Sequence, residues 1–308
     1  KAMPIHTIYD SSSVLAWSRE SAHSSYIALG TKDSASFSDG GTLSLYDLDF
    51  CLGSPSAVCS VPTSSRFASL AWSPIGLLAG GMLSGEVSIY SPTKLRSNDP
   101  NPLLSTISKH TAPVPCLHFN PNQGSHHLLA SCSHDASCYV ISLERPDSPS
   151  VFTPAPPSNP PPTAPVLQCA WNSKVAHILA SANGQGATTV WDLRQKKPWC
   201  TLQSPHPSTS IAWNPSEGLH LMTASESSPE IKLYDLRAST SMPLATLPGH
   251  PGGVLALSWC EADPRLLATC GKDNDTAVWD LHSLAKVYSV PFGPSVPPPS
   301  SSSANAPP

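Results

Sequence analysis

A pattern that returns six times constrains this chain of 308 residues more than any other feature. A short apolar run ends on an aromatic residue: SVLAWS at Trp17, FASLAWSP at Trp72, CLHFNP at Phe119, LQCAWN at Trp171, STSIAWNP at Trp213 and ALSWC at Trp259. A Leu- or Ile-rich run follows, such as LLAGG, LLASC, ILASA, LMTAS or LLATC. A third run then ends in YD, IY, VIS, VWD, LYD or VWD. The aromatic anchors are spaced by roughly 42 to 55 residues, and a period of that size marks stacked copies of one supersecondary unit.

Each run is short, rich in Val, Ile, Leu and Thr, and bounded by Gly, Ser, Asn, Asp or Pro, which reads as antiparallel strands joined by turns. Long segments of helical period are missing. A generic β-sandwich does not repeat one pattern six times, whereas radial repetition does, and it leaves only short, protected edges. The predicted fold class is therefore all-β: a WD-repeat β-propeller with six recognisable repeats over residues 1–290. Residues 291–308 form a Pro/Ser-rich tail, PFGPSVPPPSSSSANAPP with its first Pro included, read as disordered or polyproline-like. Between the third and fourth repeats, Arg145 to Pro165 is so rich in Pro and Ser that it is expected to be an exposed, mobile loop lacking ladder donors. The first repeat carries an insertion, TKDSASFSDGGTLSLYDLD, between its second and third strands.

Composition narrows the function classes. Charged residues make up 12% of the chain and the net charge is -4, which supplies no basic surface for phosphate backbones, so no nucleic-acid partner is expected. No run approaches the length of a membrane-spanning helix, and the opening KAMPIHTIYDSS lacks an apolar signal region. The nine cysteines are scattered singly, as reduced thiols of a cytoplasmic protein would be. Asn274-Asp275-Thr276 matches a glycosylation sequon, which in that setting is accidental.

The sixth repeat shows the physical logic of the unit. His250, Thr269, Asp273 and Trp279 stand where an imidazole can join a turn carboxylate to a strand hydroxyl, which in turn reaches an indole N–H. The set looks like a catalytic constellation, but its spacing is that of the repeat, so it is read as a structural tetrad; no catalytic residue is expected. The third repeat keeps His110, Ser131 and Asp135 and has Ile141 in place of Trp. The fourth keeps Ser181 and Trp191, with Gln185 at the acidic place, where the second has Ser84. These blades are expected to lean more on apolar packing.

Other motifs carry less. Cys116, His118, His126, His127, Cys132, His134 and Cys138 resemble a metal cluster on paper, yet no pair has C-x-x-C spacing and several are expected on opposite strand faces. No metal or cofactor is expected. Gly184-Gln185-Gly186 lacks the rest of a dinucleotide fingerprint, and Gly271-Lys272-Asp273 lacks the Ser or Thr of a phosphate loop.

Several long stretches carry a family resemblance: SSSVLAWS, ALGTKDSASFSDGGTLSLYDLDF, FASLAWSPIGLLAGGMLSGEVSIYSPTKL, AWNSKVAHILASANGQGATTVWDLRQKK and LALSWCEADPRLLATCGKDNDTAVWDL. From about Met3 to Val290 the chain resembles the N-terminal propeller of the Sec thirty-one family, the outer-cage subunits of the COPII vesicle coat. The resemblance implies a non-enzymatic scaffold that makes protein-protein contacts at cage vertices, where such propellers self-associate. It implies a Sec thirteen-type propeller protein and other coat subunits as partners, with the inner coat and its small GTPase engaged through regions mostly absent here. It places the chain in the cytoplasm, on coated vesicles at endoplasmic-reticulum exit sites, and on membranes only through the coat. The family pattern has a seventh repeat. Here LAKVYSVP supplies one more strand after Trp279, and Ile5 to Tyr9 is an outer strand able to close the ring, so either six blades close alone or a seventh is missing.

A second reading comes from two successive boxes, Trp191-Asp192-Leu193-Arg194 and Tyr234-Asp235-Leu236-Arg237. They resemble substrate receptors of cullin-RING ubiquitin ligases, which would make Arg194 and Arg237 adaptor-binding. The simpler reading takes both arginines as solvated charges at strand ends.

Overall fold

The computed structural model describes residues 12–18, 25–32, 40–47, 57–156 and 162–291. Within them lie six four-stranded antiparallel sheets, each built from consecutive strands. Blade one comprises β1 (Ser13–Trp17), β2 (Tyr26–Thr31), β3 (Gly41–Asp47) and β4 (Ala57–Thr63). Blade two comprises β5 (Phe67–Trp72), β6 (Leu78–Met82), β7 (Val87–Tyr90) and β8 (Leu103–Ile107), with a single helical turn, α1 (Pro92–Arg96), between the last two. Blade three holds β9 (Cys116–Phe119), β10 (Leu128–Cys132), β11 (Cys138–Ser142) and β12 (Ser150–Phe152). Blade four holds β13 (Val166–Trp171), β14 (Ile178–Asn183), β15 (Ala187–Asp192) and β16 (Lys197–Gln203). Blade five runs through β17 (Ser210–Trp213), β18 (His220–Ala224), β19 (Ile231–Asp235) and β20 (Ala245–Leu247), and blade six through β21 (Val254–Trp259), β22 (Leu266–Gly271), β23 (Asp275–Asp280) and β24 (Ala285–Pro291).

The six aromatic anchors end the first strand of their blades, which places the repeat unit in register with the sheet unit. Alternation along each strand sends apolar side chains to both faces, and stacking buries them between neighbours. Ala28, Leu43 and Leu45 of blade one pack with Phe67, Leu78 and Met82 of blade two. Met222, Ala224 and Ile231 of blade five pack with Leu267, Ala277 and Trp279 of blade six. First strands pack on one another in the order β1, β5, β9, β13, β17, β21. Among the described residues β21 has no comparable packing on β1. The first strands of the end blades accordingly show apolar side chains to solvent: Leu15 and Trp17 on β1 and Leu255 on β21.

Blades one and two interlock through one ring. Phe67 is fully buried, and a Cβ at Gly30 would sit 2.6 Å from it, while one at Gly80 would run into its opposite edge. Two glycines thus leave the width of a phenyl ring between sheets. Gly80→Ala should destabilise the fold by about 1–3 kcal/mol, the usual cost of overpacking a tight core. Urea unfolding of this variant beside Gly124→Ala, where a Cβ meets nothing within 4 Å, checks it; Gly124 has positive φ, so its own loss is backbone strain alone.

Two expectations need correction, and others fall elsewhere. The segment from Arg145 to Pro165 is not all loop. Ser150, Val151 and Phe152 pair with Ser142, Ile141 and Val140 as the outer strand of blade three. Three consecutive non-proline residues keep the N–H groups an edge strand needs, and prolines are tolerated beside it. The Pro146 carbonyl also accepts a hydrogen bond from Ser105 Oγ at 2.6 Å, tying this connection to blade two. LAKVYSVP forms β24, which runs to Pro291, one residue into the segment read as tail. Ile5 to Tyr9, residues 33–39 of the insertion and residues 292–308 lie outside the described residues.

Candidate functional site

In blade six, β22 and β23 hold Thr269 and Trp279 near each other, and the loop before β21 brings His250 over them. Trp279 Nε1 donates to Thr269 Oγ1 at 2.8 Å, and the same hydroxyl lies 2.8 Å from His250 Nε2. His250 Nδ1 lies 2.9 Å from an Asp273 carboxylate oxygen. One proton assignment satisfies every group: indole N–H to hydroxyl, hydroxyl to Nε2, and Nδ1–H to carboxylate. His250, Thr269 and Trp279 are buried. The donors of this network are consumed inside the blade.

Blade three varies the theme in a way its sequence did not reveal. His110 Nε2 meets Ser131 Oγ at 2.9 Å, but Nδ1 meets Ser137 Oγ at 2.7 Å, and Ser137 passes the bond to Asp135. Asp135 itself stands 3.6 Å from the imidazole. Ser137 is the residue the sequence reading missed, and its place two positions after the acidic turn residue was the available signal. Ile141 sits opposite Leu129 as Trp279 sits opposite Leu267, so no indole reaches Ser131. Tyr139 packs beside His110 instead, ring centroids 4.8 Å apart.

Blade four keeps only the strand half of the network: Trp191 Nε1 donates to Ser181 Oγ at 2.8 Å. Thr-Ala-Pro-Val recurs at 111–114 and 163–166, which sets Pro162 where His110 stands and removes the imidazole. Gln185 is exposed in its turn and its carbonyl accepts from Gln203. In blade two, Gly81 occupies the strand position of Ser131, and Ser84 is paired at 3.5 Å with Glu86. Apolar packing of Ala79, Val87 and Ile89 against blade three takes over there.

The titration of the blade-three network follows from its burial. Burial lowers the pKa of His110, partly opposed by the charge of Asp135. Asp135 is pushed up by burial, but hydrogen bonds from Ser137 and from the Thr111 and Ser137 N–H groups outweigh this and hold it down to about 2. An unfolded chain takes up its histidine proton near pH ~6.5 and its aspartate proton near ~4, so in both windows it binds more protons than the folded one. Stability should fall as pH drops below about 6.5, and again from about 4 towards about 2. Urea midpoints across this range check it, and His110→Gln should flatten the upper window; an unchanged slope there assigns the effect to other groups.

The cysteines depart from the sequence reading. Cys116, Cys132 and Cys138 are directly opposite one another on β9, β10 and β11 and therefore share a face. Cys169 of β13, which the sequence grouping omitted, comes within 3.8 Å of Cys116, Sγ to Sγ. His118 Nδ1 accepts the Trp171 backbone N–H at 3.1 Å, and His126 bonds the Pro121 carbonyl at 3.0 Å, so both contribute to blade geometry. Cys116, His118, Cys169 and Trp171 line a cavity of about 460 Å³ bounded by the first strands of blades three to six.

The strand-end arginines behave alike in backbone. Asp192 and Asp235 accept the N–H of Arg194 and Arg237 at 2.9 and 3.0 Å. Arg237 also grips Asp235 from Nε and Nη2, at 3.2 and 3.3 Å, and the side chains of both arginines are exposed. No helix among the described residues is long and apolar enough to cross a membrane.

Comparison with known proteins agrees with the blade architecture. The WD domain, G-beta repeat model matches residues 101–142 and 241–280. The chain is 37% identical over 301 residues to protein transport protein Sec31B of Mus musculus, covering 90% of this chain and 25% of that protein. It is 34% identical over 294 residues to SEC31 of Dictyostelium discoideum, covering 87% of this chain and 21% of the relative. It therefore spans about a quarter of the length of the relatives it matches. A solved structure of COPII on membranes, outer coat vertex, superposes with a TM-score of 0.77 at 27% identity, covering 91% of this chain and 75% of that one. A chain of the mitotic checkpoint complex, 21% identical with a TM-score of 0.69, shares the fold alone.

Proposed function

We propose, from the premise that this chain carries the WD-repeat propeller of the Sec31 family, that it acts as a structural module of the COPII outer coat, making protein-protein contacts at cage vertices. The observation that carries this reading is the likeness to the outer coat vertex structure, which extends over nine-tenths of the chain at 27% identity. The chemistry fits a scaffold rather than an enzyme, because the polar constellation of blade six is spent on its own hydrogen bonds. We read His250, Thr269, Asp273 and Trp279 as internal bracing that keeps the blade rigid. A rigid disc presents loops and rims without moving, and several weak contacts then add through multivalency. Partners in this reading are other coat subunits, among them a Sec13-type propeller, and further copies of the same propeller. The setting is the cytosolic face of vesicles leaving the endoplasmic reticulum. The apolar side chains left open on the first strands β1 and β21 support a further blade between the end blades in the assembled protein. The relatives and solved structures favour the coat over the ligase-receptor reading of Arg194 and Arg237.

The test is a graft. Residues 1–308 replace the matching region of the Dictyostelium relative, and the chimera is the sole source of that protein in cells. Vesicle budding with the chimera concentrated at exit sites is the expected result. A stable, folded chimera that assembles no coat vertices on membranes overturns the proposal.

A further inference from the structure

Nine cysteines in a chain without disulfides among the described residues invite the question of where thiols converge. They converge between blades three and four. The Sγ atoms of Cys116, Cys132 and Cys169 all lie within 4.8 Å of one another. Cys116 and Cys132 are cross-strand neighbours on β9 and β10, and Cys169 comes from the first strand of the next blade. Cys132 is fully buried and Cys169 nearly so, whereas Cys116 is half-buried. Cys116 and Cys169 both line the cavity of about 460 Å³, which supplies a way in.

We propose that Cys116, Cys132 and Cys169 form a three-thiolate site for a soft d10 metal ion, monovalent copper, entered from the central cavity and joining blade three to blade four. Thiolate bonds of about 2.3 Å to one ion require sulfurs about 3.8–4.0 Å apart. The Cys116–Cys169 separation of 3.8 Å already meets this, and Cys132 needs to close by less than an ångström. Soft sulfur ligands select monovalent copper and zinc among common ions, and a set of three favours copper, because structural zinc takes four. Imidazoles near the cluster are otherwise engaged: His118 Nδ1 accepts the Trp171 N–H. Binding as thiolates releases the thiol protons to solvent through the cavity that Cys116 and Cys169 line.

Anaerobic titration of the purified chain with monovalent copper against bathocuproine disulfonate tests the site. The expected result is one copper per chain with a sulfur-to-copper charge-transfer band, and three thiols protected from iodoacetamide. Cys169→Ser should weaken binding by more than the about 10–100-fold that loss of a mere outer-shell partner costs. Cys59→Ser and Cys260→Ser, whose thiols lie in blades one and six, should bind as the parent does. X-ray absorption on the unmodified chain needs no variant to fold, and should count three sulfurs at about 2.3 Å. Two sulfurs or fewer, copper binding undiminished in Cys169→Ser, or no competition with the chelator overturns the proposal. Zinc held in preference to copper by the same thiols overturns it too.

Discussion

Trp279→Ala should cost about 3–5 kcal/mol, the range for deleting a large buried aromatic from a core that cannot collapse into the void. The indole is 2% exposed and packs in the cluster that joins blade six to blade five. Its removal also takes away the N–H that Thr269 Oγ1 accepts. Lys286 Nζ lies 5.6 Å from the ring centroid and loses that surface, a minor loss at an exposed site. The matched control is Trp199→Ala on β16, where 46% of the residue is exposed. Its loss should stay under about 1 kcal/mol, as for surface substitutions generally. Urea unfolding followed by circular dichroism measures both. Equal losses would mean that blade six is loosely packed in solution and that its tryptophan carries no special weight.

Thr269→Val isolates the polar part of the same network. Valine keeps the shape and removes the hydroxyl, so His250 Nε2 and Trp279 Nε1 both lose their partner in a buried place. Each orphaned buried group costs about 1–3 kcal/mol, which puts the total for the two at roughly 2–6 kcal/mol. Ser131→Ala in blade three is the informative comparison. It orphans only His110 Nε2, because Ile141 offers no donor, so its loss should be about 1–3 kcal/mol. If the two variants lose the same stability, the indole contributes no hydrogen bond worth measuring. A double variant, Thr269→Val with Trp279→Phe, should lose less than the sum of the two single losses, because the phenyl ring leaves no N–H for the hydroxyl to satisfy.

These effects are partly legible in the sequence. The strand hydroxyl, turn acid and indole of blade six recur at repeat spacing, so their meeting could be read from local periodicity. Blade three was legible only in outline. Its His110, Ser131 and Asp135 stand at the repeat positions, yet Ser137 intervenes between imidazole and carboxylate, because a serine stands where blade six has Asp275 and its hydroxyl reaches both groups. The Pro-rich connection shows the opposite failure. Composition argued for a loop, and three residues of it pair with β11 because an edge strand needs little from its own sequence.

The sequence by itself determined the repeat unit, the number of recognisable repeats, the strand that each aromatic anchor ends and the residues able to form the blade-six network. Those are properties of neighbouring residues, and alternation with turn chemistry suffices to set them. Tertiary structure alone decided what happens between blades. It brought Cys169 to Cys116 across 53 positions, set Phe67 between Gly30 and Gly80, and left β21 without packing on β1 comparable to that between the other first strands, among the described residues. Contacts of that kind depend on how two twisted sheets are rotated and spaced, and strand periodicity carries no record of the angle between one sheet and the next.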